Sequence, residues 1–272
     1  MTKPGQTLIK LSAPETREFW AIPVLWEDVR LLALDKPSGL LTSPDRYDPR
    51  RPNLITLLHR GIARGAAWAR ERQLGYLANA NRLDFEASGV VLLAKDKPAL
   101  IALANQFGVE QANKTYVALA RGDPPQDAFA INAKLAGDAA RLGLMRVDPR
   151  EGRKATTLLE VTERFSGYTL LKCRPITDRA HQIRAHLRHS RMPIVGDTQY
   201  GGPLLLLSEL KTDYRFKPNV AERPLIDCIA LHLEELTFEH PLTGAAQTIA
   251  APWPKDLMVA LKYLRRYAVA DL

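Results

Sequence analysis

The sequence predicts an α+β fold in which a largely antiparallel, mixed sheet is flanked by helices. The chain has 272 residues, of which 46% are hydrophobic, so it can bury a substantial core. Short apolar or alternating runs outnumber the helical patterns, and they come in pairs separated by turn residues. Because the predicted strands come in pairs, an antiparallel arrangement is favoured over a parallel one. The sequence contains no internal repeat and no low-complexity tract.

The first predicted elements follow an N-terminal arm. Residues 1–20 are polar and contain two prolines but no sustained hydrophobic periodicity, which predicts an arm that leads into the first strand. We expect residues 21–272 to form one domain. Its first strand is predicted at residues 28–34, and the turn Lys36-Pro37-Ser38-Gly39 follows it, because proline and glycine restrict the backbone there.

The middle of the chain predicts a strand, a helix and a further set of strands. Gly89–Ala94 is a continuous apolar run bounded by polar residues, which is typical of a strand in the middle of a sheet. Pro98 opens a helix whose apolar residues recur at spacings of three and four, and residues 114–120 return to alternation. Residues 158–164 and 168–174 predict a hairpin, because a Ser-Gly pair separates them.

A helix with a cationic side is predicted at residues 180–190. His181, Arg184 and Arg188 share one stripe of this helix, beside a stripe of apolar residues. We therefore expect the helix to line something polar. After it the sequence predicts a glycine-rich turn at 193–202, an exposed excursion at 203–224, a long strand at 228–238 and a helix from Lys255.

Charge indicates which class of partner the protein attracts. Lys and Arg number 38 against 30 Asp and Glu, giving a net charge of +8 and a pI of about 9.5. The excess is concentrated in an arginine-rich segment at 46–72 and in a second cluster at 174–191. Such clusters favour phosphate contacts, although solvated surface arginines on helices would give the same pattern.

Other function classes have little support in the sequence. Cys173 and Cys228 lie far apart in apolar stretches, which favours buried free thiols and a reducing cytoplasm. The sequence shows no export signal and no apolar run of about 18 residues, so we expect a protein that is neither exported nor membrane-bound. The histidines at 181–189 lack metal-ligand spacing and no phosphate-binding glycine loop is present, so we expect neither a metal site nor nucleotide hydrolysis.

One segment places a carboxylate where it could act chemically. In Asn81-Arg82-Leu83-Asp84-Phe85-Glu86-Ala87-Ser88-Gly89, Asp84 precedes a predicted buried strand, and a rigid scaffold can aim such a side chain into a cleft. An aspartate in a turn is more often a local capping residue, so the segment by itself does not decide its role.

The same segment resembles the catalytic motif of the RluA family of RNA pseudouridine synthases, whose usual form is His-Arg-Leu-Asp followed by Thr-Ser-Gly. Other segments of the chain are similar to the family's further motifs in the expected order, and the resemblance covers about residues 24–254. These segments are Lys36-Pro37-Ser38-Gly39, Lys114-Thr115-Tyr116-Val117-Ala118, the stretch from Asp178 to His186, the stretch from Pro193 to Gly201, Leu231-His232 and Phe238-Glu239-His240-Pro241.

The resemblance implies a pseudouridine synthase fold and cofactor-independent isomerisation of uridine in structured RNA, either tRNA or rRNA. Asp84 would be the essential carboxylate, as a nucleophile or as a base toward the sugar. Arg184 would pair with Asp84 and keep it ionised, since burial alone raises a carboxyl pKa. Tyr116 would stack on the target base. It could also take the C5 proton, although a phenol with an ordinary pKa near 10 is a poor base at neutral pH.

Contacts with RNA are implied for a further set of residues. Arg82 would reach into the RNA beside a flipped uridine, since a stacked uridine cannot present its glycosidic bond. We also expect RNA contacts from Lys114, Arg179, His181 and Arg188.

Structural interpretations of these residues stay open at this point. Arg82 could form a salt bridge to Glu86, Tyr116 could be an ordinary core residue, and Arg184 could be a surface arginine bound to phosphate. The sequence also departs from the family pattern near the motif residues. Asn81 replaces the usual His, Ala87 a Thr, Asp178 a Gly and Ala180 a Thr.

Two other functions are consistent with parts of the sequence. The first is an RNA-binding or RNA-folding protein that kept the fold and lost catalysis. The second is a carboxylate glycosidase for free nucleosides, which would not need two basic clusters. The arm of about twenty residues leaves no room for the separate N-terminal RNA-binding domain of many relatives, and we expect a cytoplasmic monomer.

Overall fold

The structure, a computed structural model, describes residues 7–108, 112–216 and 220–270. Its elements alternate between short strands and a few helices. In chain order they are β1 (Leu8–Ala13), β2 (Glu18–Glu27), β3 (Leu31–Lys36), α1 (Leu54–Ala63), α2 (Ala67–Glu71), β4 (Ala78–Asn79), β5 (Ser88–Ala94), α3 (Lys97–Gly108), β6 (Asn113–Arg121), β7 (Ala128–Asn132), β8 (Leu135–Gly137), β9 (Met145–Val147), β10 (Thr156–Phe165), β11 (Tyr168–Pro175), α4 (Gln182–His189), a 3-10 turn (Thr198–Tyr200), α5 (Leu207–Leu210), β12 (Leu231–Glu239), β13 (Ala246–Ala250) and α6 (Lys255–Tyr267).

The chain divides into two compact units, where the sequence predicted an arm followed by one domain. The first unit comprises residues 1–113 and 233–252 and is built on strands in the order β1-β2-β3-β5-β12. Strands β1 to β3 and β5 pair antiparallel, as do β4 with β5 and β12 with β13. All seven residues of β5 are buried, which confirms the prediction of a central strand over Gly89–Ala94.

The second unit comprises residues 114–232 and 253–272. Its strands follow the order β6-β11-β10-β7 in antiparallel pairs, and β8 pairs with β9 in a small separate sheet. The predicted hairpin is β10 and β11, and the predicted last helix is α6, whose apolar residues at spacings of three and four face the core. Together the two units confirm an α+β fold with largely antiparallel sheets.

Several boundaries differ from the predicted ones. The expected arm contains β1 and the start of β2, in which Ile9, Leu11 and Ala13 are buried while the residues between them are exposed. The alternation was present in the sequence, but it covers only six residues before a proline. The strand predicted from residue 28 begins at Leu31, because the Asp28 side chain accepts hydrogen bonds from the backbone N–H groups of Arg30 and Leu31 and forms a turn.

Two C-terminal elements also begin later than predicted. Helix α4 begins at Gln182 instead of residue 180, since His181 has a left-handed backbone with φ 49° that cannot continue a helix. Strand β12 begins at Leu231 instead of residue 228. Among the described residues, none of the helices is both long enough and apolar enough to cross a membrane.

Candidate active site

The loop that carries Asp84 connects β4 to β5 in the first unit. Along this loop Asn81 and Leu83 are buried, Arg82 is exposed and Asp84 is half-buried. Strand β5 follows the loop, and its second residue, Gly89, has φ +117°, where a Cβ atom would lie 2.3 Å from the Leu233 carbonyl oxygen. Only glycine satisfies both conditions, so the glycine of the predicted motif is required by backbone geometry and close packing.

Arg82 is available for a ligand. It is exposed and makes no ion pair within the part of the chain that the structure describes, so the salt bridge to Glu86 considered above is not formed. An exposed guanidinium beside a half-buried carboxylate suits the expected contact with RNA, which stays a prediction.

The turn at Lys36-Pro37-Ser38-Gly39 lies against this loop. The Lys36 side chain is fully buried, and its Nζ donates hydrogen bonds to the carbonyl oxygens of Pro37 at 2.9 Å and Leu40 at 2.6 Å. Gly39 has φ +74°, and its N–H donates to the Phe85 carbonyl oxygen at 2.8 Å. Two motifs that are about forty-five residues apart in sequence are therefore joined directly beside Asp84.

A second carboxyl group lies close to this turn. Burial raises the pKa of Asp35 to about 6, and the neighbouring positive charge of Lys36 opposes this shift. The Asp35 side chain is thus partly protonated near neutral pH. No sequence pattern distinguishes Asp35 from a strand aspartate at the surface.

In the second unit, Lys114 and Tyr116 lie on β6. The Lys114 ammonium is 2.6 Å from an Asp178 carboxylate oxygen, and the Lys114 side chain is only 7% exposed. Asp178 stands where the family pattern has glycine, so this departure supplies an ion-pair partner for the lysine. Tyr116 is half-buried and lies opposite Cys173 of β11. The expected roles of both residues remain predictions.

Helix α4 is far more buried than a cationic surface helix. Every residue from Gln182 to Leu187 is buried, and Arg184 is 1% exposed. The Arg184 guanidinium forms a bidentate ion pair with Asp197, with Nε 2.7 Å from Oδ2 and Nη2 2.9 Å from Oδ1. It also donates to the Gln199 side-chain oxygen at 2.9 Å and lies 4.8 Å from the centre of the Tyr200 ring.

These contacts bear on the role expected for Arg184. The alternative of a surface arginine is wrong, because its side chain is almost completely buried. The predicted pairing with Asp84 stays a prediction. Asp197, Gln199 and Tyr200 belong to the motif segment at 193–201, but no sequence pattern assigns these three residues to a site. Only the tertiary fold brings the turn at 197–200 against α4.

Two histidines near Arg184 are held in distinct ways. The His181 ring is half-buried, with Nδ1 2.9 Å from the Tyr200 hydroxyl. His186 is fully buried between the Ala133 carbonyl oxygen and the Thr157 hydroxyl, each 2.9 Å away. A carbonyl only accepts, so Nε2 carries the proton and Nδ1 accepts from Thr157. Burial lowers the pKa of His186, which keeps this ring neutral.

The remaining basic residues expected at the site lie at the surface of the second unit. Arg188 is exposed, and Arg179 is partly exposed, with Nε donating to the Lys154 carbonyl oxygen at 3.3 Å. Neither forms an ion pair within the described residues, so both can contact phosphates.

The arginine-rich segment at 46–72 is largely neutralised by carboxylates. Four of its seven arginines form ion pairs, and the pairs are Arg50 with Asp48, Arg51 with Asp45, Arg60 with Glu15 and Arg72 with Glu27. Arg46, Arg64 and Arg70 are exposed and form no ion pair in the described part of the chain. The free positive charge of this segment is smaller than the sequence suggested, because Glu15 of the turn between β1 and β2 and Glu27 of β2 pair with its arginines.

The described cysteines are free thiols, and the described residues form no cluster that could bind a metal ion. Cys173 is buried and Cys228 is partly buried, and both are free thiols. Within residues 7–108, 112–216 and 220–270, no three His, Cys, Asp or Glu side chains converge in a way that would hold a metal ion. The expectation that no metal and no cofactor take part stays a prediction.

Comparison with known proteins places this chain in a family. The model of the RNA pseudouridylate synthase family matches residues 30–189. A ribosomal large subunit pseudouridine synthase D from Xanthomonas campestris is 35% identical over 261 residues, which cover 89% of this chain and 69% of that protein. A ribosomal large subunit pseudouridine synthase C from Escherichia coli K12 is 32% identical over 245 residues, which cover 89% of this chain and 70% of that protein.

A solved structure supports the same fold. The structure titled human RNA pseudouridylate synthase domain containing 4 matches with a TM-score of 0.65 and 22% identity, and the match covers 89% of this chain and 92% of that one. The family model spans more than half of the chain, and both relatives are more than 30% identical over most of it. The chain therefore belongs to the RluA-type family of RNA pseudouridine synthases, which are isomerases that act on RNA.

Proposed function

We propose that this protein converts uridine to pseudouridine in the RNA of the large ribosomal subunit, with Asp84 as the essential carboxylate. The observation that carries the proposal is the placement of Asp84. It is half-buried on a loop in which Asn81 and Leu83 are buried and hydrogen-bonded, close to the exposed Arg82. A carboxylate held in this way can meet a ribose while being partly shielded from water.

The reaction requires that the uracil change the atom through which it is attached. The bond between the ribose C1′ and N1 of uracil breaks, a bond between C1′ and C5 forms, the C5 proton leaves and N1 gains a proton. Asp84 either attacks C1′ or removes a proton from the sugar, and both routes balance without an oxidant or reductant. Neither route needs a cofactor.

Tyr116 and Arg184 are proposed to assist Asp84. We assign Tyr116 to stacking on the extruded uracil, since an aromatic ring offers a platform that does not depend on proton transfer. Arg184 would favour the ionised form of Asp84 by its positive charge. The bidentate ion pair with Asp197 fixes the guanidinium in a single orientation.

Binding of RNA would rest on exposed cations around the catalytic loop and helix α4. Arg82, Arg179 and Arg188 are the proposed phosphate or base contacts, with His181 and Lys114 as partly or largely buried members of the same set. The net charge of +8 favours association with RNA at low salt. We propose that the protein acts as a cytoplasmic monomer.

Ribosomal RNA is a better supported substrate than tRNA. The bacterial relatives that match over most of the chain are named for the large ribosomal subunit.

Mapping of pseudouridine in cells tests the proposal. Total RNA would be mapped chemically from a strain that lacks the gene, complemented with the wild-type protein or with Asp84→Asn. We expect a site in large-subunit rRNA to disappear in the deletion strain and to return only with the wild-type protein. A site in tRNA alone would refute the substrate assignment, and an unchanged map would favour an RNA-binding protein without catalysis.

A further inference from the structure

Two buried polar side chains, which we call anchors, hold the backbone of the loop that carries Asp84. The first is Asn81, which is 5% exposed. Its side-chain nitrogen donates to the Val90 carbonyl oxygen at 3.0 Å, and its side-chain oxygen accepts from the Leu92 N–H at 2.8 Å. The amide thus bonds both a donor and an acceptor of strand β5, which is itself entirely buried.

The second anchor is Thr42, which is 2% exposed. Its hydroxyl oxygen accepts from the Leu83 N–H at 3.0 Å and donates to the Leu83 carbonyl oxygen at 3.0 Å. One hydroxyl therefore satisfies both backbone groups of the residue that immediately precedes Asp84. These groups are buried, so their loss would cost free energy that water cannot restore.

Thr42 is itself fixed to the start of helix α1. The N–H groups of Leu54 and Ile55 donate to the carbonyl oxygens of Leu41 and Thr42, at 2.8 and 3.1 Å. Asn53 caps the helix, since its side-chain oxygen accepts from the Thr56 N–H at 2.9 Å. A rigid helix end thus supports Thr42, and through it the Leu83 backbone.

Phe85 completes an alternating pattern of anchors. Its carbonyl oxygen accepts from the Gly39 N–H, and the Arg51 guanidinium lies 4.5 Å from the centre of its ring. Residues 81, 83 and 85 are therefore each held by other parts of the first unit. The exposed Arg82 and the half-buried Asp84 lie between these held residues in the chain.

We propose that Asn81 and Thr42 are positioning residues that hold the backbone of the loop so that Asp84 meets the target ribose. This inference rests on the proposed function of Asp84. It also accounts for Asn81, which stands where the family pattern has histidine. A neutral imidazole and an amide each offer one donor and one acceptor, but the amide does not titrate, so its two hydrogen bonds persist across the physiological pH range.

The first test removes the Thr42 hydroxyl without changing the side-chain shape. Thr42→Val is expected to lower kcat by about 10- to 100-fold while KM for RNA changes less than about 2-fold, since a displaced reacting group slows chemistry more than binding. Thr42→Ser keeps the hydroxyl and should recover most of kcat. Thr56→Val makes the same chemical change on α1, where the hydroxyl makes no hydrogen bond within the described residues, and should behave as wild type.

The second test changes the protonation behaviour of the Asn81 side chain. In Asn81→Asp the protonated acid offers one donor and one acceptor, as the amide does, whereas the ionised form offers only acceptors to the Val90 carbonyl. The ratio of kcat in Asn81→Asp to kcat in the wild type should therefore rise as the pH falls from 8 to 5.5. A variant that only loosened the fold would show no such dependence of this ratio once its folded fraction is measured.

The outcomes separate this inference from the proposed function. An inactive wild-type protein, or a fully active Asp84→Asn, would refute the proposed function and the inference with it. If the wild type is active and Asp84→Asn is not, three results would overturn the inference alone: a normal kcat in Thr42→Val, an equal defect in Thr42→Ser, or a flat pH ratio for Asn81→Asp.

Discussion

The buried ion pair between Arg184 and Asp197 provides a sharp test of how the second unit is held together. In Asp197→Asn a neutral amide replaces the carboxylate. The Asp197 side chain receives two donated hydrogen bonds from the guanidinium, at 2.7 and 2.9 Å, and both side chains are 1% exposed. An amide of the same size has one acceptor oxygen and presents a second group that can only donate, so at least one of these bonds is lost.

The magnitude follows from the burial of both charges. Breaking a buried ion pair by removing one partner costs about 3–5 kcal/mol, because the lost carboxylate no longer offsets the guanidinium charge in a site closed to water. For a chain of this size that cost corresponds to a drop in melting temperature of roughly 6–15 °C. The Asp197 side chain also accepts from the Tyr200 N–H, so the adjoining turn should loosen as well.

Thermal unfolding followed by circular dichroism measures this effect, with urea titration as a second assay. Asp127→Asn is the matched control, since Asp127 forms an ion pair with Arg164 in the same unit but its side chain is 87% exposed. An exposed pair contributes at most about 1 kcal/mol, so the control should melt within a few degrees of the wild type. Equal melting temperatures for Asp197→Asn and Asp127→Asn would refute the reasoning.

Three further predictions concern other buried positions. The pKa of Asp35 is raised to about 6, so its ionised form destabilises the folded state increasingly as the pH rises from about 4 to 6. Asp35→Asn should therefore raise the melting temperature at pH 8 but not at pH 4. An equal effect at both pH values would contradict this prediction. His186 is held neutral with a lowered pKa, so its contribution to stability is present above about pH 6.5 and is lost as the pH falls below that value. The melting temperature of His186→Gln should therefore fall less steeply with decreasing pH than that of the wild type. An unchanged slope of melting temperature against pH would count against this prediction. Gly89→Ala should destabilise the first unit by about 3 kcal/mol or more in a urea titration, because Gly89 has φ +117° and the added Cβ would lie 2.3 Å from a backbone oxygen. The control Gly75→Ala, with open space around the added Cβ, should be nearly neutral in the same titration.

Elements with a strong local pattern were predicted well from the sequence. Strand β5 is a continuous apolar run, and the hairpin of β10 and β11 is marked by a Ser-Gly pair. Both features are local and independent of the rest of the fold. Strand β1 was missed because its alternation covers only six residues. Helices α1 and α2 were missed because, with ten and five residues, they are shorter than the window over which a helical period can be recognised.

The candidate site was predicted only in part, because some of its residues are brought together by the tertiary fold and not by a local pattern. The motif around Asp84 could be found from its order of residues. The anchor at Thr42 could not, since its contact with Leu83 joins segments 41 residues apart in sequence. For the same reason Arg184 was expected on a cationic face, although the fold buries it against Asp197. Local periodicity shows which residues share a helix face, but not which partner covers that face.

The central claim is that Asp84 carries the isomerisation of uridine. The most direct measurement is release of tritium to water from large-subunit rRNA labelled at C5 of uridine, since the C5 hydrogen leaves when C5 joins the ribose. Purified wild-type protein is expected to release tritium, while Asp84→Asn binds the same RNA with similar affinity and releases it at least about 10³-fold more slowly. Release at the wild-type rate by Asp84→Asn would contradict the account.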